Sequence, residues 1–384
     1  MIKANLKHLC LLLPAAFCLL NHLSGQEIEV VGENKIKIYA APISGPNGSA
    51  ATALLQTDLK LSGDFVIATA DAAAFTAKGS LGATGLAGSL SGSQNFNQTF
   101  PGDWRSAVHQ FADAIVQAVT GSPGIATSRV VFVAADSGHK ELYLMDLDGG
   151  VVRELTKDNS TNLGPKFNAQ GNLIAFTSFK SGYPDVWLLD LGASNKRRIS
   201  FYPGLNSGPS FSPDGSRVAL TLSKDGNTEL YTIASGGGSP ERLTHSVGTE
   251  ASPTYSPDGG RIAYVSDDRG SAQLYIIASN GGAPQRFNTY SPYTTEPDWS
   301  PDGRLLAYSV RIAGQNQIAI SEIVGGKQTI LTASGINETP SWCRNSRHLV
   351  FSRDGKLYLL DSKTKQTVQL DNGLNRCSEP AVSR

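Results

Sequence analysis

Two sets of carboxylates recur along this chain. Asp214, Asp258 and Asp302 each stand in the tetrapeptide Ser-Pro-Asp-Gly, and Glu250, Glu296, Glu338 and Glu379 each fall within three residues before a proline. A recurring acid can ligate a metal, move a proton or turn the chain. A calcium site needs several oxygens converging on one point, which single acids in separate repeats do not supply. In Ser-Pro-Asp-Gly the proline fixes φ near roughly −65° at the first corner of a type I turn, Asp suits the second, and Gly takes the left-handed position that follows. Asp214, Asp258 and Asp302 are therefore expected to close hairpins. The glutamates admit two readings. Each accepts local backbone hydrogen bonds, or together they form a ring of like charges whose repulsion falls when a basic side chain or a cation enters.

Other chemistry finds little support. A propeller hydrolase needs a Gly-x-Ser-x-Gly elbow in a second domain of roughly 200 residues, with Asp and His downstream. The nearest string, "GSLSG" (88–92), has Leu90 where the nucleophile would stand. His109, His139, His245 and His348 are not spaced as zinc ligands with one another. Net charge is zero and the basic residues are dispersed, so the electrostatic footprint of a nucleic-acid or membrane-surface binder is missing. No cofactor or metal is implied, and catalysis is not expected.

The elements that must position these residues repeat. Aligned on a proline, "GPKFNAQG" (Pro165), "GPSFSPDG" (Pro209), "SPTYSPDG" (Pro253), "EPDWSPDG" (Pro297), "TPSWCRNS" (Pro340) and "EPAVSR" (Pro380) follow at intervals of 44, 44, 44, 43 and 40 residues. Each unit holds four strand-length runs, as in "PSF", "RVALTLS", "ELYTIAS" and "ERLT", separated by turn residues. A period in the forties with four β runs is the signature of a β-propeller, and residues 128–384 hold six such units. The first unit lacks its first strand before "RVVFVAA" (129–135), and "PAVS" (380–383) supplies it, so both chain ends close the ring.

In a propeller the first strand of each unit lines the channel. The segments preceding the repeat prolines therefore gather at one mouth: Asn206-Ser207-Gly208, Glu250-Ala251-Ser252, Thr295-Glu296, Glu338-Thr339 and Ser378-Glu379. Cys343 and Cys377 fall toward opposite ends of neighbouring inner strands, farther apart than the ~7 Å that a disulfide allows between Cα atoms, and are expected to stay free or buried.

Residues 26–127 do not follow the period and read as a small α/β domain, making the whole chain an N-terminal α/β domain followed by a six-bladed β-propeller. "KIKIYAAPI" is strand-like and "SAATALLQTDLKLS" helical. "DWRSAVHQFADAIVQAVTG" carries one apolar stripe, Trp104, Val108, Phe111, Ile115 and Val119, with Asp103 placed to cap its start and Gly121 near its end. The Gly/Ala/Ser-rich segment 77–99 has little to bury and reads as poorly ordered. Residues 1–25, with Lys3 and Lys7 before a short apolar run, read as a secretory signal peptide cleaved near Gly25. Phe17 before Cys18 argues against lipidation.

The joined pattern "DLKLSGDF" (58–65), then "FPGDWRSAVHQFADAIVQAVTGSPGIATSRVVFVA" (100–134), leading into the repeats, resembles the TolB family of the Tol-Pal envelope system across essentially the whole mature chain. That resemblance implies a non-catalytic, monomeric periplasmic scaffold that binds the lipoprotein Pal at the propeller mouth and TolA through the N-terminal region, supporting outer-membrane integrity and cell division. In that family further strands lie between the two N-terminal helices, where this chain carries the Gly/Ala/Ser segment. The repeats by themselves also suit a secreted propeller that binds a small ligand, glycan or peptide, or the relic of a propeller hydrolase.

Overall fold

In the computed structural model, residues 35–384 apart from 137 are described; the expected signal peptide lies outside them. β1 (Ile36–Ala40) leads into α1 (Gly48–Leu61), β2 (Phe65–Ile67) and β3 (Phe75–Gly82), with β1 parallel to both β2 and β3. β4 (Gly85–Ser91) and β5 (Phe96–Pro101) continue antiparallel, and α2 (Trp104–Thr120) follows. The five-stranded sheet has the order β2-β1-β3-β4-β5. The Asp103 carboxylate accepts from the backbone N–H groups of Arg105 and Ser106, capping α2, and Gly121 ends it at φ 73°. Val108, Phe111 and Ile115 are fully buried against α1 and the sheet, with Trp104 and Val119 at the edge of the same core.

The segment 77–99 is corrected by this sheet, because it forms β4 and parts of β3 and β5. Its small residues are there for closeness of approach. A Cβ at Gly88 would stand 2.8 Å from the Phe111 ring, so only glycine lets α2 lie this near the sheet. The stretch buries Ala77, Leu81, Leu86 and Leu90 on the helix side. Poverty in large side chains here reflects a tight contact rather than disorder.

From Arg129 onward six four-stranded antiparallel sheets make the propeller. Blade 1 pairs Ser378–Val382 with Arg129–Ala134, so the last strand completes the first sheet. Blades 2 to 6 begin at Asn162, Asn206, Glu250, Thr294 and Asn337. The second and third strands of each are buried on both faces, as continuous apolar runs such as Arg217–Leu222 and Glu229–Ala234 require. Trp299 and Trp342, on successive inner strands, are wholly buried between blades.

The N-terminal region sits on blades 6 and 1 through ion pairs. Arg105 Nη2 donates to Asp148 Oδ2 at 2.6 Å, Arg344 to Asp113 at 3.0 Å, and Arg347 bridges Asp64 at 2.5 Å and Asp361 at 2.7 Å. No helix among the described residues is long and apolar enough to cross a membrane.

Candidate functional site

Each inner strand breaks its register at the repeat proline, between Ser207 and Ser210, Ala251 and Thr254, Thr295 and Asp298, Glu338 and Ser341, and Ser378 and Ala381. Proline offers no N–H to the ladder, so the strand bulges there. The residue before it adopts left-handed φ in every blade: Gly164 56°, Gly208 61°, Ser252 51°, Glu296 56°, Thr339 55° and Glu379 52°. Four of these carry side chains, a conformation costing about 1–2 kcal/mol at each. All six line one cavity of about 290 Å³ at the channel mouth, together with Glu338, Ser378, Lys140 and Lys166.

The bulge gives the three residues before proline three different tasks. The third residue back turns into the blade. Asn206 is fully buried; its Nδ2 donates to the carbonyls of Pro184, Tyr202 and Gly204, folding the incoming loop. Glu250 occupies the same register, is 1% exposed, and accepts from Ser246 and Ser266. Glu250 is therefore corrected out of the mouth ring, and Asn206, Ser207, Ala251 and Thr295 also lie outside the cavity lining. Ser207 Oγ instead bonds Thr221 across the strand pair.

What remains is an arc rather than a ring. Glu296, Glu338 and Glu379 stand on blades 5, 6 and 1, whereas blades 2 and 3 present no acid there: Gly164 and Gly208 hold the position before proline, and Lys166 follows Pro165 on blade 2. Glu296 Oε2 accepts from Thr339 N at 2.8 Å and Ser309 Oγ at 2.7 Å. Glu379 Oε2 accepts from Gly164 N at 2.6 Å, and Glu338 Oε1 from Asn316 Nδ2 at 2.7 Å. Two of the acids thus bond the same backbone position of the next blade, whereas Glu338 and Glu250 accept from side chains. Burial raises the Glu296 pKa; the bonds from Ser309 and Thr339 oppose this, and the charges of Glu338 and Glu379 add to it. Burial likewise raises Glu379, against its Gly164 bond and the nearby Lys140 and Lys166, with Glu338 adding. Like charges thus act on both Glu296 and Glu379, and Lys140 and Lys166 oppose them only at Glu379.

Loops at this same end carry exposed apolar side chains. Phe201, Val247, Tyr290 and Ile336 precede inner strands and are 60%, 91%, 64% and 51% exposed. Tyr183, between the second and third strands of blade 2, is 74% exposed. The Arg198 guanidinium lies 4.3 Å from the Phe201 ring centre. Apolar loops around a charged central cavity make a surface suited to protein contact.

The Ser-Pro-Asp-Gly aspartates stand at the opposite end of the channel. Ser212 Oγ donates to Asp214 Oδ1 and accepts from Arg217 N, while Asp214 takes Ser216 N. Asp258 and Asp302 repeat the arrangement with Ser256 and Ser300. Gly215, Gly259 and Gly303 share φ 72°. The Ser212 hydroxyl and the Ser216 N–H hold Asp214 down to about 2. Cys343 and Cys377 are buried and unpaired.

Three features were missed in the sequence. Lys166 follows its repeat proline directly and was findable by register. Lys140, on the loop before the third strand of blade 1, was not. The cluster of Asp58, His109, Asp146 and Asp148 joins residues up to ninety positions apart and has no local signal.

Residues 116–384 match the family model described as the TolB beta propeller domain. A Tol-Pal system protein TolB of Geobacter sulfurreducens is 48% identical over 69 residues, which is 18% of this chain and 16% of that relative. The corresponding protein of Geobacter metallireducens is 45% identical over 74 residues, 19% of this chain and 17% of its own. The chain thus spans about a sixth of the length of the curated relatives it matches. Over the whole fold it is similar to the crystal structure of TolB from Acinetobacter baumannii, with TM-score 0.83, 27% identity, and coverage of 91% of this chain and 96% of that one. The tricorn protease shares the propeller fold alone, at TM-score 0.53 and 18% identity over 64% of this chain and 25% of that one.

Proposed function

Because the chain belongs to the TolB β-propeller domain family, we propose that it is a non-catalytic scaffold of a Tol-Pal system, exported to the periplasm. Its propeller mouth grips the lipoprotein Pal, and its N-terminal α/β region engages TolA. In this reading it supports outer-membrane integrity and cell division. The observation that carries the Pal contact is the acidic arc of Glu296, Glu338 and Glu379 set among exposed apolar loops on one face. A basic side chain of the partner enters the cavity and is met by carboxylates already held in place, while Phe201, Val247 and Tyr290 supply apolar contact around it. Gly208, without a side chain, leaves room on the side of blade 3, away from Lys140 and Lys166, for an inserted chain.

The test is calorimetric titration of the protein with the folded domain of its cognate Pal. Glu296→Gln together with Glu338→Gln keeps side-chain size and hydrogen-bonding oxygens but removes two charges. Binding is expected to weaken by about tenfold or more, with unchanged circular dichroism and melting. Undiminished affinity in the folded double variant, or no binding by the wild type, overturns the assignment. Capture of TolA by the wild-type protein tests the second contact separately.

A further inference from the structure

His109 lies on α2, is 4% exposed, and faces carboxylates on two sides. Its Nδ1 bonds Asp58 Oδ2 at 2.8 Å, and Asp58 is itself 3% exposed. Its Nε2 is buried and has no hydrogen-bond partner. That atom points at Asp146 Oδ2, 3.6 Å away, which is too far for a hydrogen bond. Asp146 ends the third strand of blade 1, and Asp148 follows it in the turn. One ligand atom from each of His109, Asp146 and Asp148 falls within 4.8 Å of the others.

A buried nitrogen and a carboxylate oxygen 3.6 Å apart are placed badly for each other but well for an ion between them. Zinc binds imidazole nitrogen at about 2.0–2.1 Å and carboxylate oxygen at about 2.0–2.2 Å, so two ligands at a tetrahedral angle stand ~3.4 Å apart. The Asp58 bond holds Nδ1, so that Nε2 is the nitrogen that can ligate once its proton leaves, and Asp58 is the outer-shell partner a metal-bound histidine ordinarily has. A cavity of about 490 Å³ lined by Asp103, Arg105, Ser106, His109, Arg129 and Asp146 reaches His109 and Asp146, giving an ion a way in past the two arginines and room for a water ligand. One nitrogen and two oxygens suit a mixed-ligand divalent ion such as zinc better than calcium, which takes six or more oxygens.

From this geometry we propose that His109, Asp146 and Asp148 form a zinc-type divalent metal site that staples the N-terminal region to blade 1. Two cations compete for it. Arg105 sits on Asp148 at 2.6 Å and lies 3.5 Å from Asp146, and it can keep the outer side of Asp148 while the metal takes the inner. The other competitor is a proton on His109. Burial disfavours that charge, but the carboxylates of Asp146 and Asp58 outweigh burial and push the ring up to about 10. Metal must displace this proton to reach the ring nitrogen.

The experiment is equilibrium dialysis of chelator-treated protein against micromolar zinc chloride, with melting followed in parallel. The wild type is expected to retain one equivalent and to melt at higher temperature with zinc than without it. His109→Gln, which keeps a group able to bond Asp58, and Asp148→Asn are each expected to lose that equivalent and the shift. His245→Gln, an exposed histidine outside the cluster, is expected to keep both. If His109→Gln fails to fold, Asp148→Asn decides alone, since its turn retains its hydrogen-bonding shape. No stoichiometric zinc on the folded wild type, or retention of the equivalent and the shift by Asp148→Asn, overturns the proposal.

Discussion

Gly88→Ala measures how closely α2 is seated on the sheet. The added methyl carbon would begin 2.8 Å from two atoms of the Phe111 ring and 3.0 Å from Leu86. Phe111 is wholly buried and packed edge-on to Phe96 at 6.1 Å and beside Phe100 at 5.4 Å, so the ring has no free direction in which to move. Overpacking of this kind costs about 1–3 kcal/mol. Replacing a strand glycine offsets about 0.5–1 kcal/mol of that by removing unfolded-state freedom. The expected net loss is therefore about 0–2.5 kcal/mol, and Gly88→Ala should fall about 1–3 kcal/mol below a strand Gly→Ala change made where there is room. Gly82→Ala is the control: its nearest atom would be 3.9 Å away and its backbone φ is not positive, so only the stabilising part remains. Both helices of the described residues lie in this region, and ellipticity at the helical band during urea unfolding reports on it. Phe111→Leu added to Gly88→Ala should give a coupling of opposite sign to the single losses, because the smaller side chain makes room. If Gly88→Ala is as stable as Gly82→Ala, the helix does not rest on Gly88 and the account of the 77–99 segment fails.

Arg347→Met should cost toward the lower end of about 3–5 kcal/mol, because it leaves the buried Asp361 without its bidentate partner and frees the more exposed Asp64; unfolding midpoints in urea check it. Ser252→Gly should stabilise by up to about 1 kcal/mol, since Ser252 holds φ 51° and glycine takes that conformation without the side-chain penalty, less the entropy it gains when unfolded; a loss on melting would mean the hydroxyl has a partner at the mouth. Burial pulls His348 down to about 4 from the ordinary 6.5. Between those values the unfolded chain binds a proton that the folded one does not. Stability from this group is thus complete above pH 6.5 and falls by up to about 1.4 kcal/mol per unit as pH drops toward 4. The urea midpoint should decline over that window, and His348→Gln should flatten the decline.

The propeller was legible because its rules are local and repeated. Pro-Asp-Gly turns, strand-length apolar runs and a steady period located the blades, and the unpaired first unit pointed to the strand that closes the ring at Ser378–Val382. The α2 stripe and its cap were equally local. The sheet at 77–99 was not legible, because a glycine required by a ring across the core looks, in sequence, like a glycine with nothing to bury. Only the position of Phe111 relative to Gly88 distinguishes the two.

The mouth failed by register. Glu250, Glu338 and Glu296 stand three, two and one residues before their prolines, and nearness to proline is not equivalence. A strand alternates its faces and a bulge adds a residue to the count, so one step along the chain decides whether a carboxylate enters the blade, pairs across it or lines the channel. Glu250 answers to Ser246 and Ser266 inside its own blade, while Glu296 answers to Thr339 on the next. The same step that removes Glu250 from the arc admits Lys166, one place past its proline, and turns an expected ring of one sign into a cavity with an acidic wall, a basic corner and two glycines.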